Sequence, residues 1–172
     1  MSPRRSSAHD VALIRSAVER ALRTPPTAID PQMRHLCEGR VGKPALVHTP
    51  ENTPAYWLVP IQIGQAACGF AQVELNGRVT SIATLGAGPG DRAAWPRASF
   101  FEKPPPSILR EARVRYPELA QARPVLSYDR SPAHWAWRLS AAGAAVSVYI
   151  TPGGWHHRAA SAVPVIEPDR EG

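Results

Sequence analysis

The polar and aromatic chemistry of this chain gathers toward its C-terminal end. His156 and His157 stand side by side after Trp155, and His134 opens the segment Trp135-Ala136-Trp137-Arg138. Neighbouring residues on a strand point to opposite faces, so His156 and His157 are not placed to hold one metal ion between them. A site would need His134 or His48 brought in by the fold, with Asp129 or Glu167 as the carboxylate. The pattern favours packing or surface roles for these imidazoles, with no metal and no cofactor. The rival is a small enzyme or ligand-binding pocket that uses His134, His156 or His157 with Asp129.

The tryptophans pose a second question. In Trp135-Ala136-Trp137 both rings point to one face of a strand. Core packing is the default for such rings. The alternative is an exposed ledge in which Trp135 and Trp137, with Arg138, and Trp155, with His156, form a partner-binding surface. Covalent catalysis has little support. Cys68 has no basic neighbour to lower its pKa, Cys37 and His35 diverge on a short helix, and Ser99 and Ser131 lack a nucleophile turn. Asp129, Glu51, Asp91 and Glu102 all fall in turns or connectors, so no carboxylate pair forms. Gly86-Ala87-Gly88-Pro89-Gly90-Asp91 follows a strand as a phosphate loop would, but Pro89 and Trp95-Pro96 interrupt the helix such a loop requires. It reads as a connector.

These residues need elements to position them. The densest stretch runs from Ala55 to Ile82, where three apolar runs are separated by turns at Gly64 and Asn76-Gly77. That is an antiparallel meander, and Asn-Gly suits a tight primed hairpin turn. Before it, Asp10 caps an expected helix over 11–22, Asp30-Pro31 starts a short one carrying Met33, Leu36 and Cys37, and Pro44–His48 is a brief strand. After it, Pro104-Pro105-Pro106 is a stiff spacer and Ser107 caps a helix to Tyr116. Strands then follow at Pro124–Tyr128, around Trp135–Leu139 and at Val146–Ile150.

The two halves repeat each other. Pro44-Ala45-Leu46 matches Pro124-Val125-Leu126, Trp57 matches Trp135 (with His134 in the place of Tyr56), and Ala71, Val73 and Leu75 match Val146, Val148 and Ile150. The expected fold is α+β, two repeats of a helix followed by an antiparallel three- or four-stranded meander, sharing one core. The expected units are a disordered 1–9, a first repeat over 10–85, a connector over 86–106, a second repeat over 107–160 and a flexible tail over 161–172.

The run Tyr56-Trp57-Leu58-Val59-Pro60-Ile61, the Gly64 turn, and Gly69-Phe70-Ala71-Gln72-Val73-Glu74-Leu75-Asn76-Gly77-Arg78-Val79 resemble the PepSY and cystatin-like small α+β modules. The resemblance implies a non-catalytic binding or inhibitory part, often beside peptidases and often exported. It brings no catalytic residues.

At 172 residues, 44% hydrophobic and 20% charged, the chain has a globular composition. A formal charge of +6 raises the question of nucleic acid. Only Lys43 and Lys103 are lysines, however, and the arginines are scattered through a sequence with 19 prolines and much alanine. That is a bacterial-type compositional habit as much as a binding surface, so nucleic acid ranks third. Cys37 and Cys68 are expected as buried free thiols. The basic N-terminus lacks the apolar run of a signal peptide, and no stretch is long enough to span a bilayer, so a soluble cytoplasmic protein without membrane contact is expected. The leading functional expectation is a non-catalytic module that recognises a peptide or protein through a sheet face or edge.

Overall fold

A computed structural model of the chain describes residues 8–86, 90–131 and 134–159. The expected disordered N-terminus, most of the glycine-rich Gly86–Gly90 stretch, Glu167 and the C-terminal tail lie wholly or largely outside these residues. The architecture is α+β, with three α-helices and two antiparallel sheets among the described residues. The helices are α1 (Ala8–Leu22), α2 (Arg34–Cys37) and α3 (Pro106–Arg115). The first sheet holds β1 (Arg40–Val41), β2 (Ala45–His48), β3 (Pro54–Ile63), β4 (Ala66–Val73) and β5 (Val79–Thr84). β1 and β2 pair with opposite ends of β3, and β4 and β5 follow in order. The second sheet runs β6 (Val125–Tyr128), β7 (Trp135–Leu139), β8 (Val146–Thr151), β9 (Gly154–Ala159) in sequential order.

β3 explains why the first sheet reads as a nearly unbroken apolar run. Trp57, Val59 and Ile61 face a core under α1, where Ile14, Val18 and Leu22 lie on one helical stripe. Tyr56 and Leu58 point the other way, into a second core with Leu126, Trp137, Leu139, Val148 and Ile150 of the second sheet. Covered on both faces, β3 has no polar side to alternate with. β8 has one: Val148 and Ile150 face the core, while Ser147 and Thr151 alternate with them.

The stretch expected to be a spacer takes part in both cores, Trp95 in the one under α1 and Phe100 and Phe101 in the second. It forms two short 3-10 turns, Arg92–Ala94 and Ala98–Phe101, and buries Trp95, Phe100 and Phe101. Its backbone is tied to the first sheet where Ala67 N donates to Pro96 O and Ala98 N to Gln65 O, both at 2.9 Å. Each buried phenylalanine contributes about 1.5–3 kcal/mol, which outweighs the local signal of its prolines.

Other expectations need correcting. α1 starts at Ala8, so Asp10 sits within its first turn, where a carboxylate suits the helix dipole, rather than capping it. α3 starts at Pro106, which makes Ser107 a helical residue and not the cap. The Asn76-Gly77 turn is not a two-residue primed turn. Val73 pairs with Val79 across five intervening residues, and only Gly77, at φ +89°, is left-handed. Cys68 is buried, but Cys37 is exposed; both are free thiols.

Pairing register also corrects the matching of the two halves. Leu46 lies opposite Trp57, and Leu126 lies opposite Trp137. Trp57 lies opposite Val73, and Trp137 opposite Ile150. Trp137, rather than Trp135, therefore holds the ladder position of Trp57, and Ala136 rather than His134 that of Tyr56. The offset is two residues on both strands, which preserves the face and moves the position.

Candidate functional site

β6 ends at Tyr128, and the chain turns sharply at Asp129. Asp129 N donates to His134 O at 2.9 Å, Ser131 N to Asp129 O at 2.7 Å, and His134 N to Ser131 O at 2.8 Å. Arg130 takes a left-handed φ of +64° to close the turn. This aims the Asp129 carboxylate along the sheet toward β9, where His156 and Arg158, two apart on a strand, share a face. Arg158 grips both oxygens, Nε to Oδ1 and Nη2 to Oδ2, each at 2.5 Å. His156 Nε2 lies 2.9 Å from Oδ2, and its ring stacks on Tyr149 at 5.6 Å and 11°.

Asp129 is only 8% exposed. The Arg158 guanidinium holds its carboxyl below the usual carboxylate range, with a smaller effect from the His156 hydrogen bond, while burial opposes both. Burial raises the Tyr149 phenol on the same face.

Trp135 forms the apolar counterpart. Its half-buried ring packs on Phe101 at 4.8 Å, Phe100 at 5.7 Å and, edge-on, Phe70 at 6.3 Å. Between the sheets a cleft of about 700 Å³ joins the two environments. Phe70, Leu85 and Trp135 supply apolar surface, and Asp129, His134, His156, His157 and Arg158 supply polar groups.

The structure thus brings together Asp129, His134, His156 and His157, the residues of the rival pocket, and adds Trp135 from the aromatic ledge. The ledge itself is not formed. Trp137 is buried, and its Nε1 donates to Phe100 O at 2.6 Å. Arg138 is 5% exposed; its guanidinium donates to Pro50 O and, at 2.5 Å, to Asn52 Oδ1. Both side chains are consumed by the fold, one in the core and one bracing the β2–β3 loop. Trp155 is half-buried, edge-on to Tyr116 at 5.9 Å, and lies outside the cleft lining.

Arg158, Phe70 and Leu85 were missed by sequence reasoning. The alternation His156-His157-Arg158 on a strand was the available signal for Arg158. Nothing local marks Phe70 or Leu85, which join the cleft only through the packing of one sheet on the other. His48 lies on β2, and among the described residues no group of three or more His, Cys, Asp or Glu is placed to hold a metal ion. Burial pushes the Cys68 thiol up to about 11, which suits packing rather than nucleophilic attack. No described helix is long and apolar enough to cross a membrane. No family model, curated protein or solved structure matches the chain.

Proposed function

We propose that this chain is a binding protein that takes a peptide segment along β9 and seats one of its side chains in the cleft between the sheets. The observation that supports this most is the convergence of Trp135 and Phe70 with His134, His156, His157 and Arg158 around one concavity. β9 is the last strand of its sheet among the described residues, so its outer edge offers backbone groups for strand addition. An aromatic or branched apolar side chain fits the Trp135–Phe70–Leu85 surface. An adjacent acidic side chain faces the imidazoles.

The helix-then-meander order of both halves supports two further parts of this proposal: an internal duplication, and kinship with PepSY or cystatin-like binding modules. A hydrolytic or acid–base role for the Asp129–His156 pair is less favoured. Arg158 already occupies both oxygens of Asp129, so that carboxylate has little charge left to stabilise an imidazolium. Nucleic acid remains the third reading: Arg78, Arg138 and Arg158, three of the 18 arginines, are already engaged with Glu74, the Pro50–Asn52 loop and Asp129.

The test is an amide and indole NMR titration with end-blocked hexapeptides that vary in one aromatic and one acidic position. The reading expects shifts in the His156–Ala159 amides and the Trp135 indole, strongest for peptides containing both features. Shifts confined to other surfaces, or no saturable shift with any peptide, would overturn it.

A further inference from the structure

We infer that the chain's own C-terminal segment, residues 163–167, occupies the cleft beside Trp135 until a partner peptide displaces it. Ile166 would take the apolar surface and Glu167 the imidazoles. Such an occupant rests on the peptide-binding reading above and gives the cleft its first ligand. β9 ends at Ala159, one residue past Arg158, which lines the cleft. The chain therefore leaves the sheet at the rim of the site, and residues 160–172 follow outside the described structure. Ile166 stands seven residues beyond Ala159, a reach of up to about 23 Å when extended. The β9 stretch from His156 to Arg158 covers only about 7 Å. A turn and a return along β9 fit within that length.

The segment carries what the cleft lacks. Val163-Pro164-Val165-Ile166 sets three branched apolar residues together, and Glu167, Asp169 and Glu171 follow against a single Arg170. That is an acidic end on a chain whose formal charge is +6. On the cleft side, Trp135, Phe70 and Leu85 are all half-buried, so each keeps surface for an incoming apolar side chain. Asp129 is already matched by Arg158 and His156. His134 and His157 are exposed and make no ion pair among the described residues, so an added carboxylate meets their ring N–H groups. The backbone of the segment also suits the open edge of β9. Val163 and Glu167 each precede a proline, which holds both extended. Pro164 and Pro168 are four apart, so on a strand both missing donors fall on one edge, and the other keeps the N–H groups of Val165 and Glu167. Paired through that second edge, the segment would end the sheet on a side blunted by its prolines.

The experiment attaches a nitroxide label at Arg170→Cys in the full chain with Cys37→Ser, since Cys37 is the exposed thiol and Cys68 is buried. The label is expected to broaden the Trp135 indole signal and the His156 and Arg158 amides. Ile166→Ser/Glu167→Gln should relieve most of that broadening. Without its tethered competitor, an unlabelled chain with the same double substitution should bind the best hexapeptide about tenfold more tightly than the parent, a gain within the effective concentration of a short tether. Equal hexapeptide affinity in the two chains would overturn the inference and leave the peptide reading standing, as would broadening that the double substitution does not relieve. No saturable hexapeptide binding by either chain would overturn both together. Broadening of equal size in a mixture of labelled chain and isotope-enriched unlabelled chain would assign the segment to a second copy and overturn the tethered arrangement.

Discussion

Asp129 shows how one carboxylate can organise a surface. It fixes Arg158 through both oxygens and His156 through one, so the polar side of the cleft is set before any ligand arrives. Its pKa is lowered in the folded chain, so its contribution is complete above the ordinary value of 3.8 and is lost as pH falls from there through the depressed value. Asp129→Asn should therefore lower the thermal midpoint at neutral pH. The gap to the parent protein should persist at about pH 4.5 and close only below the ordinary carboxylate range. Thermal melts across that range check this; a gap that closes by about pH 5 contradicts it. Arg138 supports a second prediction at the same scale. It is buried without a carboxylate partner, held by one carbonyl and one amide oxygen. Arg138→Lys keeps the charge but loses the fork geometry, and should cost about 1.5–3 kcal/mol by chemical denaturation. Asn52→Ala should cost a similar amount, since it removes the acceptor and strains a residue at φ +68°. No loss in either would mean the brace is ornamental.

At the scale of elements, what could be read in the sequence followed from periodicity. The α1 stripe of Ile14, Val18 and Leu22, the β3–β4–β5 meander and the alternation of β8 were all legible, because each pattern reports a single local geometry. Failures came where tertiary packing decided. The Gly- and Pro-rich 86–106 stretch reads as a connector, yet Trp95, Phe100 and Phe101 pull its described part into the two cores. Trp137 and Trp135 share a face and a sequence context, and only the register of β7 against β6 and β8 separates a core ring from a cleft ring. Trp137→Ala should therefore cost about 3–5 kcal/mol, through both the cavity and the orphaned Phe100 carbonyl. Trp135→Ala should cost distinctly less in denaturant melts. Of the cleft, Asp129 and the histidines were visible as residue types, but their convergence was not, because it depends on Arg130 closing a turn.

At the scale of the whole chain, the second sheet packs its apolar side on the first, and the cleft beside Trp135 lies where that packing is incomplete. β3 takes part in both cores, so the first sheet is the middle layer between α1 and the second sheet. Phe70 and Leu85 reach the cleft beside Trp135 from the first half of the chain, while its polar groups come from the second sheet and its flanking turn. Neither sheet forms the site alone. The most direct measurement is the affinity of the best hexapeptide for the parent chain, for Trp135→Leu and for Val114→Ala on the exposed side of α3. The account predicts a loss of about tenfold or more at Trp135 and none at Val114. Equal affinities for all three proteins would contradict it.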